Sequence, residues 1–77
     1  MKNIIFLKAA EKYLNKQPTQ VTARILLAIY QLPKGNTMSM KNSDVSRLRI
    51  GDIRVIYEIQ GNQITIHNIG NRGDVYK

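Results

Sequence analysis

The chain has 77 residues, with twelve Lys and Arg against five Asp and Glu, for a net charge of +7 and a pI near 10.1. At 43% apolar residues it carries material for one modest core, which excludes a disordered tail and a pair of domains. With no Cys it has no disulfide framework and no cysteine zinc site, and no apolar run approaches the roughly 20 residues of a membrane span.

A single domain over residues 1–77 is therefore expected. The lack of Cys points to the cytoplasm. The apolar part of Met1–Lys8 is too short for a signal peptide. So basic a surface attracts polyanions, nucleic acid first, then a membrane surface or an acidic protein.

Asn3 to Phe6 is a β-prone run and predicts a first strand. From Leu7 the period changes. Leu7, Ala10, Tyr13 and Leu14 share one helical face, and Lys8, Glu11, Lys12, Asn15 and Lys16 the other. Pro18 ends this helix near Lys16 or Gln17, and a second helix opens at Pro18 or Thr19. In the second helix Val21, Ile25, Ala28, Ile29 and Leu32 form a core stripe. Ala23, Leu26, Leu27 and Tyr30 form another, so this helix must touch two things. The sheet is one. The first helix, or a partner protein, is the other. Pro33 and Gly35 stop the helix, and Lys34 to Ser43 reads as a long polar loop.

Three strands follow, Val45–Ile50, Ile53–Gln60 and Gln63–Ile69, joined by Gly51-Asp52 and Gly61-Asn62. Gly in first place suits a two-residue hairpin turn. Loop length then sets register. Ile50 faces Ile53, Leu48 faces Val55 and Ser46 faces Tyr57. In the second hairpin Ile59 faces Ile64, Tyr57 faces Ile66 and Val55 faces Asn68. This face is almost wholly apolar, and the helices must cover it.

The opposite face collects different chemistry. Arg49 lies opposite Arg54, and Arg47 opposite Ile56. His67 falls on the far side of Ile56, Glu58 pairs with Thr65, and Arg54 with Ile69. Two arginines directly cross-strand repel. An anion between them would turn that cost into a grip, since guanidinium forks match phosphate. The simpler reading is a solvated basic face that Glu58 partly neutralises. Two glycines around Arg72 let the last segment fold back, so that Arg72 and Tyr76 can join the face. Lys41 and His67 are further candidate RNA contacts. No phosphate-loop, HExxH or GxSxG motif occurs, and one His without Cys makes no dedicated transition-metal site.

The run Arg47-Leu48-Arg49-Ile50-Gly51-Asp52-Ile53-Arg54-Val55-Ile56-Tyr57-Glu58-Ile59 resembles the core signature of RelE-type toxins, in the RelE/ParE superfamily. The closing Ile69-Gly70-Asn71-Arg72-Gly73-Asp74-Val75-Tyr76-Lys77 is similar to that family's tail motif. The first half, from Ala9-Ala10-Glu11-Lys12-Tyr13-Leu14 to Leu32-Pro33-Lys34-Gly35, is similar too. The resemblance implies an α+β fold of order β-α-α-β-β-β, a twisted, mostly antiparallel sheet with two helices packed on one face.

It also implies the toxin of a type II toxin–antitoxin system with a cognate antitoxin, and operator DNA reached only through the antitoxin complex. RelE-type members cut mRNA in the ribosomal A site without a metal or other cofactor. The 2′-hydroxyl attacks the adjacent phosphate. Matched by position, the catalytic residues are Arg47, Arg49, Arg54, Arg72 and Tyr76. Arg49 and Arg54 would hold the phosphate, and Arg72 would stabilise developing charge. Tyr76 would stack on a base or assist proton transfer. RelE itself has Lys where this chain has Arg47 and Arg49, and a guanidinium does not give up its proton. The general base is therefore open among Tyr76, His67 and Glu58. The tail often carries His where this chain has Asn71. The alternatives are a ParE-like gyrase inhibitor, acting by binding, and a decayed toxin that only binds antitoxin and operator DNA.

Overall fold

The computed structural model describes residues 3–32, 37–39 and 45–71. The elements run β1 (Asn3–Phe6), α1 (Lys8–Asn15), α2 (Thr19–Tyr30), β2 (Thr37–Ser39), β3 (Val45–Ile50), β4 (Ile53–Gln60) and β5 (Gln63–Asn71). They form an α+β fold whose sheet has the order β1-β5-β4-β3-β2. Only β1 and β5 run parallel; the other neighbours are antiparallel. The expected order gains one element. The segment expected as a loop over 34–43 contributes β2, which pairs with β3 at the sheet edge through Thr37–Leu48 to Ser39–Ser46. Its residues alternate too briefly for periodicity to reveal a strand.

The helical hairpin forms where proline forbids continuation. After Asn15 the chain turns, Pro18 sits at φ −58°, and Thr19 starts α2. Thr22 Oγ1 donates to the Leu14 carbonyl at 3.1 Å, beside the Gln17 N–H at 3.2 Å, and so ties α2 to the end of α1. The predicted core stripe of α2 is buried at Ile25, Ile29 and Leu32, with Val21 and Ala28 half-buried against it. On α1, Ala10 is buried and Tyr13 and Leu14 are half-buried. Leu7 departs from the prediction: it precedes the helix and is 40% exposed.

The core lies between these helices and one sheet face. Leu48, Ile50, Val55, Tyr57, Ile64, Ile66 and Ile69 supply the sheet side. β1 adds Ile4 and Phe6, paired with Ile64 and Ile66. Each fully buried aliphatic side chain contributes roughly 1.5–3 kcal/mol of transfer free energy. The second stripe of α2 is only partly covered. Leu26 is half-buried, whereas Leu27 and Tyr30 stand 63% and 61% exposed. The first helix therefore does not cover that stripe.

Both tight turns have the expected length, with Ile50 opposite Ile53 and Gln60 opposite Gln63. Gly51 and Gly61 each adopt φ +59° at the first loop position, the left-handed region that a side chain resists.

Candidate nucleic-acid interface

The β3–β4 ladder holds the predicted register throughout: Arg49 is the Cα partner of Arg54, and Arg47 of Ile56. The β4–β5 ladder does not. It begins as expected with Ile59–Ile64, Glu58–Thr65 and Tyr57–Ile66, then shifts by one residue. Ile56 pairs with Asn68, Val55 with Ile69 and Arg54 with Gly70, which leaves His67 as the extra residue of a β-bulge. Three expected pairings are thus corrected: Val55–Asn68, Arg54–Ile69 and His67–Ile56.

Energetics explain the slip. Without it the Asn68 amide would face the core, and burying an unpaired amide costs about 1–3 kcal/mol. With it Ile69 turns inward and is only 3% exposed. Asn68 turns outward, and its Oδ1 accepts the Ile69 backbone N–H at 2.9 Å beside the bulge.

The bulge also aims His67. Its Nε2 lies 3.2 Å from Glu58 Oε1, on the face away from the helices. The other carboxylate oxygen accepts from Gln60 Nε2 at 3.0 Å. The His67 and Glu58 side chains are 35% and 21% exposed.

The arginines are not equivalent. Arg49 is exposed and Arg47 half-buried. Arg54, expected on an uncovered surface, is 6% exposed. Its Nη1 donates to the Gly51 carbonyl at 3.0 Å and the Ile53 carbonyl at 3.3 Å. The hairpin carbonyls thus engage one guanidinium of the cross-strand pair from within the protein. The expected grip on a phosphate is correspondingly one-sided, with Arg49 the accessible partner.

Sequence reasoning missed one cation. Arg24 on α2 reaches the same turn, where a Cβ built on Gly51 would lie 3.5 Å from its Nη2. Its signal was a lone basic residue in the apolar middle of α2. The turn carrying Gly51 is thus flanked by Arg24 and Arg54. Gln60 was also missed; its spacing of two from Glu58 on one strand was the available clue. Asn71, in the position where the family often has His, faces the helical layer instead, accepting from Tyr13 Oη at 2.9 Å. Lys41, Arg72 and Tyr76 lie outside the described residues.

Similarity to solved structures is extensive in shape and low in identity. The RelE–RelB antitoxin–toxin complex of Methanococcus jannaschii matches at 24% identity and a TM-score of 0.75, covering 94% of each chain. The archaeal RelE–RelB complex of Pyrococcus horikoshii matches at 23% identity and a TM-score of 0.75, covering 96% of this chain and 98% of the other. The intact E. coli RelBE toxin–antitoxin complex matches at 13% identity and a TM-score of 0.71, covering 92% and 96%. At such identities the likeness is one of fold. Comparison with the curated proteins finds no match. The family comparison goes further, because the ParE toxin of the type II toxin–antitoxin system parDE matches over residues 4–76, almost the whole chain. On that match the chain belongs to the ParE toxin family of type II toxin–antitoxin systems, within the RelE/ParE superfamily.

Proposed function

We propose that this toxin is a metal-independent endoribonuclease that cleaves mRNA in the ribosomal A site and so halts translation. The observation that carries the reading is the division of the sheet. One face is sealed by helices; the other presents Arg49, with Arg47 and His67 half-buried and Arg54 buried behind it on the turn. A surface of this charge and spacing suits a polynucleotide backbone better than a protein groove. Arg49 contacts the scissile phosphate. Arg54 is a fixed positive charge behind it, anchored on the turn. Arg72 and Tyr76 take the roles their tail motif implies, charge stabilisation and base stacking or proton transfer, and Lys41 adds an RNA contact. A cognate antitoxin covers this surface or the exposed α2 residues Leu27 and Tyr30, and reaches operator DNA on the toxin's behalf. The site of action is the cytoplasm.

The test is a toeprint of translating ribosomes with and without the protein. Cuts at A-site codons are expected. Arg49→Ala should lose about a hundredfold in single-turnover cleavage, the typical loss for a preorganised contact to developing charge. It should melt like wild type. Arg54→Ala should lose activity and stability together, because two hairpin carbonyls lose their donor.

A second reading is favoured by the match to the ParE toxin family: the gyrase inhibitor acting by binding that the sequence resemblance left as an alternative. Inhibited supercoiling together with intact mRNA would establish it in place of the first.

A further inference from the structure

RNA cleavage by the 2′-hydroxyl needs a group to take its proton, and no arginine can do so. Among the described residues, the open face holds one hydrogen-bonded line with the required chemistry. Gln60 Nε2 donates to Glu58 Oε2, and Glu58 Oε1 meets His67 Nε2. With both oxygens engaged, the carboxylate is fixed in orientation. A carboxylate only accepts, so the ring donates through Nε2, and the neutral ring offers its lone pair at Nδ1. A carboxylate that sets a histidine tautomer, leaving the second nitrogen for a substrate proton, is the orienting logic of hydrolytic triads.

Placement agrees with this chemistry. His67 is the residue displaced by the β4–β5 bulge, and bulges commonly re-aim a side chain beside an active site. It is more exposed than the Glu58 that holds it. Among the described residues, the charged groups around it on this face are Glu58 and Arg54 from β4 and Arg47 and Arg49 from β3. Gly70 lies opposite Arg54, so His67 is three residues along and one strand across from Arg54, a backbone distance of about 11 Å, and two strands across from Arg49, about 14 Å. An arginine side chain and a sugar-phosphate unit bridge such a span.

We infer that His67 is the general base of cleavage, with Glu58 and Gln60 as the residues that position it, an inference that rests on the ribonuclease reading above. Nδ1 takes the proton of the 2′-hydroxyl while O2′ bonds to phosphorus. The bond from phosphorus to the 5′ oxygen breaks. That oxygen leaves as a hydroxyl, its proton returned from the imidazolium directly or through water. The other product is a 2′,3′-cyclic phosphate.

Single-turnover cleavage on programmed ribosomes tests both levels separately. No cleavage by the wild-type protein overturns the ribonuclease reading itself. With an active wild type, His67→Gln should lose about a hundredfold or more in rate. Glu58→Gln, which leaves the ring in place, should lose at least about tenfold. Added imidazole should restore part of the activity of His67→Gly, a rescue that a purely structural histidine would not show. Thermal melts of each variant separate lost chemistry from lost fold. His67→Gln cleaving at the wild-type rate overturns the assignment. So does a loss in His67→Gly that imidazole leaves unchanged.

Discussion

The two hairpins of the sheet start alike and end differently. Each turns on a glycine at φ +59° followed by one more loop residue. From Gly51 the ladder runs in simple register through all of β3, because alternation there already places Leu48 and Ile50 inward. From Gly61 the same alternation would carry Asn68 inward and Ile69 outward, and the ladder breaks at His67 to avoid it. A tight turn sets where a register begins. Burial along the strand decides how far it lasts. In this chain the residue expelled by that conflict is the one that meets Glu58 on the open face.

If burial of Ile69 drives the bulge, Ile69→Ala removes the driving force along with a core side chain. A loss of about 2–5 kcal/mol is expected in urea unfolding. An effect near zero would mean that strand twist, not burial, places the bulge. Asn68→Ala attacks the compensation instead. The Ile69 N–H would lose its side-chain acceptor, at a cost of about 1–3 kcal/mol, read as a shift of the denaturation midpoint.

The turns themselves should respond equally, since both glycines share one backbone geometry. Gly51→Ala and Gly61→Ala should each cost about 1–2 kcal/mol through left-handed strain alone. Neither site is crowded: the added methyl at Gly51 makes ordinary contact with a flexible arginine tip, and at Gly61 it meets nothing within 4 Å. Unequal melting temperatures would show that the turns are not interchangeable. The smallest effect is expected from deleting His67. The ladder then becomes regular with Asn68 outward and Ile69 inward. A regained ladder bond offsets the lost contact to Glu58, and stability should stay within about 1 kcal/mol of wild type. An unfolded deletion variant would show that the bulge is needed for the sheet to close over its core.

Much of the molecule follows from local pattern. Helical spacing and runs of β-prone residues between turn signals mark both helices, β1 and the three long strands close to their observed limits. Glycine in first place of each two-residue loop identifies both turns, and turn length alone puts Arg49 beside Arg54. β2 was not legible, because a strand of three residues carries no period and exists only by pairing with β3.

What local pattern cannot express is competition between distant groups. The bulge depends on how much the core gains from Ile69, a property of the helices above it rather than of β5. The clue in the sequence was Asn68, the single amide in an otherwise apolar register. The burial of Arg54 likewise depends on two carbonyls at the turn becoming available to it. In α2, spacing reveals two apolar stripes, but only the packing of the helical hairpin leaves Leu27 and Tyr30 in solvent while Ile25 and Ile29 are sealed. Short-range rules of backbone geometry and alternation fix every described element but β2, both turns and the face that carries the strand arginines. The tertiary structure alone decided which arginine is accessible, where the ladder slips and what His67 touches, because each is the outcome of burial set against hydrogen bonding in the finished fold.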